Sequence, residues 1–131
     1  MAKIIKDYPP NYEKIKEVFN PPESACYCYG DDLYNPSGNK LEEHILVHEN
    51  VHRLQQNGDP ETWWNKYLVD KEFRKNQEVE AYKVQYNFIK LRTTEKIYSQ
   101  FLDLFAQQLS SMYDLGITKY EAHTLIRKSM I

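Results

Sequence analysis

From Lys40 onward, helix stop and start signals cut the chain into a row of amphipathic segments, and this confines the fold to a mainly helical one. The first segment spans residues 41–56, with Leu41, Ile45, Val51 and Leu54 as apolar anchors. Gly58 follows at the place where a glycine in the left-handed region ends a helix. Asp59-Pro60-Glu61 starts another, with Asp as N-cap and Pro in the first helical position. That short helix carries Trp63, Trp64, Tyr67 and Leu68. Asp70 caps the next, which runs to about residue 91. Thr93 or Thr94 caps a further helix to residue 112, with Ile97, Phe101, Leu104, Phe105 and Leu109 inward. Gly116 breaks that pattern, and Thr118-Lys119-Tyr120-Glu121 is a capping box for a last helix.

The first third of the chain is different. Pro9-Pro10 opens a short helical stretch through Phe19, with Ile15, Val18 and Phe19 on its apolar stripe, and Pro21-Pro22 ends it. Residues 25–29, all small, thiol or aromatic, read as a strand. Gly30-Asp31-Asp32 is a turn signal, after which Leu33-Tyr34 pairs back, and residues 35–39 form a second turn cluster. This hairpin is the only β element the pattern predicts. The expected fold is α+β and mainly helical, one domain over residues 1–131, with the hairpin packed against the helix at 41–56.

Composition excludes some functions. With 17 basic against 19 acidic residues and a net charge of −2, the chain lacks the basic surplus of a nucleic-acid binder. The faint helix-turn-helix look of residues 108–128 therefore reads as plain packing. The first six residues have no signal-peptide pattern and no run approaches membrane-spanning length, so the expected place is the cytoplasm, with no membrane partner. Eleven tyrosines suit a core or cleft lined with amphipathic rings. Cys26 and Cys28, one residue apart with no second cysteine pair, read as free structural thiols.

One motif carries chemistry. His48-Glu49-Asn50-Val51-His52 fits His-Glu-x-x-His inside a periodic helix. Side chains four apart lie about 6 Å along a helix and about 40° around it, so both imidazoles can converge on one metal ion. Glu49, about 100° from His48, is placed to reach a metal-bound water as general base. Zinc is the expected ion, and a catalytic zinc takes three protein ligands plus water. His44 sits on the same helix, where three histidines would run along the axis rather than around an ion. His123 is far along the chain, and Gln56 rather than a third histidine follows His52 by one turn. A carboxylate from a later helix is the best third ligand, and Glu72, Glu78 and Glu80 are the candidates.

The combination of His-Glu-x-x-His with a later Glu-x-x-Ala, here Glu78-Val79-Glu80-Ala81, resembles the gluzincin metallopeptidases. That resemblance implies a minimal zincin-like domain hydrolysing peptide bonds. It makes Glu78 the third ligand, with Glu80 as reserve, and lets Ala81 bring its helix close to the histidine helix. Many gluzincins carry an acid or Asn after this Ala; the chain has Tyr82 there, so any supporting role of that acid is absent or moved. The chain is also similar to small phage and prophage proteins in its Gly30-Asp31 turn, its Trp63-Trp64 segment and its Glu78 to Tyr82 run. A phage-encoded origin in a bacterial host follows from that likeness.

Of the adjacent Trp63 and Trp64, one should be buried and the other on a rim beside the cleft. The hairpin, with Tyr27, Tyr29 and Tyr34, could take a peptide substrate as an added strand or merely cover the metal helix. Tyr82, Tyr86 and His123 are candidate donors to a developing oxyanion. The rival to a peptidase is a non-catalytic, zinc-stabilised component of phage type.

Overall fold

The structure, a computed structural model, describes residues 3–128. The order is β1 (Lys3–Ile5), α1 (Tyr12–Val18), β2 (Tyr27–Tyr29), β3 (Asp32–Tyr34), α2 (Glu43–Gln56), α3 (Pro60–Val69), α4 (Lys71–Lys90), α5 (Glu95–Ser111) and α6 (Lys119–Arg127), an α+β arrangement that is mainly helical. The Asp59 carboxylate accepts the Thr62 amide at 3.2 Å, and Asp70 accepts the Phe73 amide at 3.0 Å. Asp70 also ends α3, so α3 and α4 meet at one residue. Thr118 and Glu121 form the reciprocal capping box of α6. Thr94 precedes α5 without a side-chain cap. At the end of α2 both Asn57 (φ 48°) and Gly58 (φ 78°) take the left-handed region.

The sheet has three strands in the order β1-β3-β2. β2 and β3 form the expected hairpin, turning through Gly30 and Asp31 with a positive φ only at Gly30, the pattern of a II′ loop. β1 was not expected. It pairs parallel to β3, Lys3 with Asp32 through Ile5 with Tyr34, and α1 lies in the crossover. The hairpin sits against α2 through Gln56, whose Nε2 donates to the Cys28 carbonyl at 2.7 Å while its Oε1 accepts the Gly30 amide at 2.7 Å.

Two apolar clusters flank the middle of α4. One, from α4, α5 and α6, includes Tyr82, Phe105, Leu109 and Ile126. The other, from α1, β2 and α3, includes Ile15, Tyr27, Trp63, Trp64 and Tyr67, with Phe73 of α4 packed on it. Glu78 lies on α4 between Phe73 and Tyr82. Among the described residues no helix is long and apolar enough to cross a membrane.

The polarity of α2 is inverted. It buries His44, His48, Glu49, Val51, His52 and Gln56, while Leu54 is 61% exposed. Leu54 is therefore no core anchor. It lines an open apolar groove with Leu46, Val47 and Ile4. Ile97 and Leu104 of α5 also face outward, at 41% and 46% exposure, because the α5 core face is set by Leu102, Phe105, Ala106 and Leu109. A helix whose inner stripe is titratable carries a large desolvation cost, and such a stripe persists where each buried group is bonded or used.

Candidate metal centre

α2 projects His48 and His52 from one face, and α4 brings Glu78 up against them. One ligand atom from each of the three lies within 4.8 Å of the others, and all three residues are buried. His48 Nε2 is 3.2 Å from Glu78 Oε1, and His52 Nε2 is 3.2 Å from both carboxylate oxygens. Tetrahedral zinc with bonds of about 2.0–2.1 Å needs ligand atoms about 3.3 Å apart. The two imidazoles and one carboxylate therefore fit such an ion in donor type and in spacing. Ala81, one turn beyond Glu78 on α4, is fully buried.

The other ring nitrogens are also engaged. His48 Nδ1 donates to Gln85 Oε1 at 2.9 Å, and His52 Nδ1 donates to Gln55 Oε1 at 2.7 Å. Each bond holds a proton on Nδ1, so Nε2 is the nitrogen turned toward Glu78 and the one available to a metal ion. Tyr67 completes the carboxylate, its hydroxyl donating to Glu78 Oε2 at 2.6 Å. None of these three partners announces itself in the sequence. Gln85 and Tyr67 stand where a helix-period reading assigns only an inner face, and Gln55 is an ordinary polar residue beside His52.

Charge is concentrated here. Burial works to raise the Glu78 pKa, but His52 and His48 hold it well below the usual carboxylate range. Burial likewise works to lower His52, and the Glu78 carboxylate overrides it and raises the imidazole to about 9. Glu49 is pushed upward, chiefly by burial, with the two histidines opposing and Glu78 adding to the rise. Among the described residues no side chain hydrogen-bonds the Glu49 carboxylate, whose oxygens are not sealed in the core but open onto a cleft. The cleft, of about 320 Å³, also holds His48, His52 and Glu78, and among the described residues no Lys or Arg lines it.

The remaining candidates fall elsewhere. Glu80 is exposed and accepts from Gln55 Nε2 at 2.8 Å, so it braces a histidine partner and does not join the cluster. Glu72 is exposed and pairs with Lys75 at 3.2 Å. His123 on α6 and Tyr86, whose ring packs on Tyr98, do not line the cleft. Tyr82 does line it, its ring centroid 4.5 Å from that of His48, but its hydroxyl donates to Gln108 at 3.2 Å and takes a bond from Tyr113 at 2.7 Å. His44 bonds Glu42 and Gln85 and stays out of the cluster.

Both tryptophans are buried, at 5% and 6% exposure, against the expectation of one on a rim. α3 is enclosed by α1, α2, α4 and β2, so side chains 100° apart both meet protein. Trp63 Nε1 donates to Gln77 and Trp64 Nε1 to the Cys28 carbonyl. With Gln56, Trp64 thus occupies the backbone groups of Cys28 and Gly30 that an added substrate strand would need there. Both cysteines are free, and burial pushes each thiol up to about 12, which disfavours a thiolate ligand. Comparison of the chain with protein-family models, with curated proteins and with solved structures returned no match.

Proposed function

We propose that this protein is a zinc-dependent metallopeptidase, with His48, His52 and Glu78 as metal ligands and Glu49 as the catalytic base. One observation carries the reading: a buried His-His-Glu cluster and the Glu49 carboxylate, which faces the cleft without a hydrogen bond among the described residues, share one site. A largely desolvated carboxylate facing a cleft without a bonded partner is costly, and it persists where a site uses it. A zinc ion held there would polarise a water and a substrate carbonyl. Glu49 then takes a proton from the attacking water. Its pKa, lifted by burial, lets it hold that proton and pass it to the leaving amine. Gln85, Gln55 and Tyr67 keep the three ligands oriented while this happens. Among the described residues the cleft offers no Lys or Arg to pair with a terminal carboxylate, which favours cleavage inside a chain.

The test is a library of peptides with both ends blocked, incubated with zinc-loaded protein and read by mass spectrometry. Wild type should cleave a subset, and Glu49→Gln should lose at least ~100-fold in rate while keeping one equivalent of zinc. A zinc-loaded wild type that cleaves nothing, peptides of its host included, leaves the non-catalytic zinc protein as the better reading. Equal cleavage by Glu49→Gln would remove Glu49 from the chemistry.

A further inference from the structure

A chain of buried hydrogen bonds leads away from the metal cluster. His48 Nδ1 meets Gln85 Oε1 at 2.9 Å, Gln85 Nε2 meets His44 Nδ1 at 2.8 Å, and His44 Nε2 meets Glu42 Oε2 at 3.0 Å. Gln85 is 4% exposed, and the His44 ring lies among Phe101 and Phe105 with centroids at 5.2 and 5.9 Å. Glu42, at the start of α2, is the exposed end of the chain, its side chain 72% accessible.

The direction of every bond follows from the outer end. An ionised carboxylate only accepts, so His44 Nε2 must donate to Glu42. A neutral His44 then has only a lone pair at Nδ1. Gln85 must turn its NH₂ toward that lone pair, which leaves its Oε1 facing His48. His48 Nδ1 must in turn donate, and the Nε2 lone pair is left for the cluster. With the Gln85 amide reversed, an NH₂ would face His48 Nδ1, the ring proton would move to Nε2, and His48 could not ligate. An amide looks almost alike from its two ends, so something must choose between them, and His44 is the group in contact with the choosing end.

We infer that His44 and Gln85 are positioning residues that set His48 in its metal-binding tautomer, with Glu42 fixing the polarity of the relay. The inference rests on the metal reading above but not on catalysis. It explains a buried histidine of the inverted α2 face that takes no part in the cluster.

The test is zinc affinity, measured by chelator competition at fixed pH on the full chain, in a double-mutant cycle. His44→Phe should weaken zinc binding about tenfold, the lower end of what loss of a ligand's supporting partner costs. Gln85→Glu presents a carboxylate that accepts from His48 whichever way it turns, so it should bind zinc at least as tightly as wild type. In that background His44→Phe should change affinity by no more than about twofold. A histidine that merely fills space would cost the same in both backgrounds, and that result overturns the inference, as does an unchanged affinity in His44→Phe alone. Should His44→Phe not fold, Gln85→Met against Gln85→Glu decides. The first lacks an acceptor for His48 Nδ1 and should bind zinc about ten- to hundredfold more weakly, the second should not, and equal affinities overturn the inference. A wild type that binds no zinc at all is a different failure, that of the metal site itself.

Discussion

Among single residues, Glu49 sets stability against function. Its folded pKa is raised above the ordinary 4.5, mainly by burial, so folding favours its neutral form. The sign follows: the group favours folding fully below about pH 4.5, and that contribution is lost as pH rises through the higher folded value. Above that range, keeping Glu49 in its buried place costs stability, whether the carboxyl ionises there or holds a proton that the unfolded chain would release. In metal-free protein Glu49→Gln should therefore raise Tm at pH 7.5, and the gain should shrink as pH falls toward 4.5. Thermal scans of both proteins in chelator across that range check this, and a Tm gain absent at pH 7.5 or constant with pH would contradict it. That His48 and His52 share one face was legible, because side chains four apart on a helix lie one turn above each other. Glu78 came from a resemblance, and the structure puts it in the cluster while Glu80 points to Gln55. Gln85, His44 and Tyr67 were not legible. Their roles come from pairings to residues 37, 41 and 11 positions away, and nothing in an amide or hydroxyl names its partner.

At the scale of elements, local signals told most and long-range pairing told least. Asp59, Asp70 and the Thr118–Glu121 box start helices where their chemistry directs, because a cap needs only backbone amides two or three residues on. β1 is three residues long and meets a partner strand 29 positions later, so no local pattern marks it. The apolar residues of α2 misled in the opposite way. A reading that turns apolar residues inward puts Leu54 in the core, whereas the helix turns its histidines inward and leaves Leu54 out. Gln56 shows what the inversion gains. Its amide bonds β2 as a neighbouring strand would, at the Cys28 carbonyl and the Gly30 amide, and locks the hairpin to α2 one turn beyond His52. Gln56→Leu should cost about 1–3 kcal/mol in chemical denaturation, since the Gly30 amide is left without its partner. Zinc affinity should hardly change, because no ligand or ligand partner is touched. A large loss of affinity with little loss of stability would mean that Gln56 belongs to the site.

On the scale of the molecule, two cores meet across α4, and the His48-His52-Glu78 cluster spans the seam between α2 and α4. The fold class was legible from the succession of capped helices. The packing of α3 among four elements was not, and the burial of both Trp63 and Trp64 depends on it. A ligand that joins α2 to α4 across this seam binds the folded state alone, so zinc at a hundredfold excess over its dissociation constant should add about 2.7 kcal/mol of stability. The central claim is that three side chains from two helices bind one ion. Its most direct measurement is zinc stoichiometry, by elemental analysis and titration, on protein purified without chelator or histidine tag. One equivalent in wild type and in Glu80→Ala, falling to a small fraction in Glu78→Ala, is the predicted result. Less than half an equivalent in wild type after added zinc, or full binding in Glu78→Ala, would contradict it.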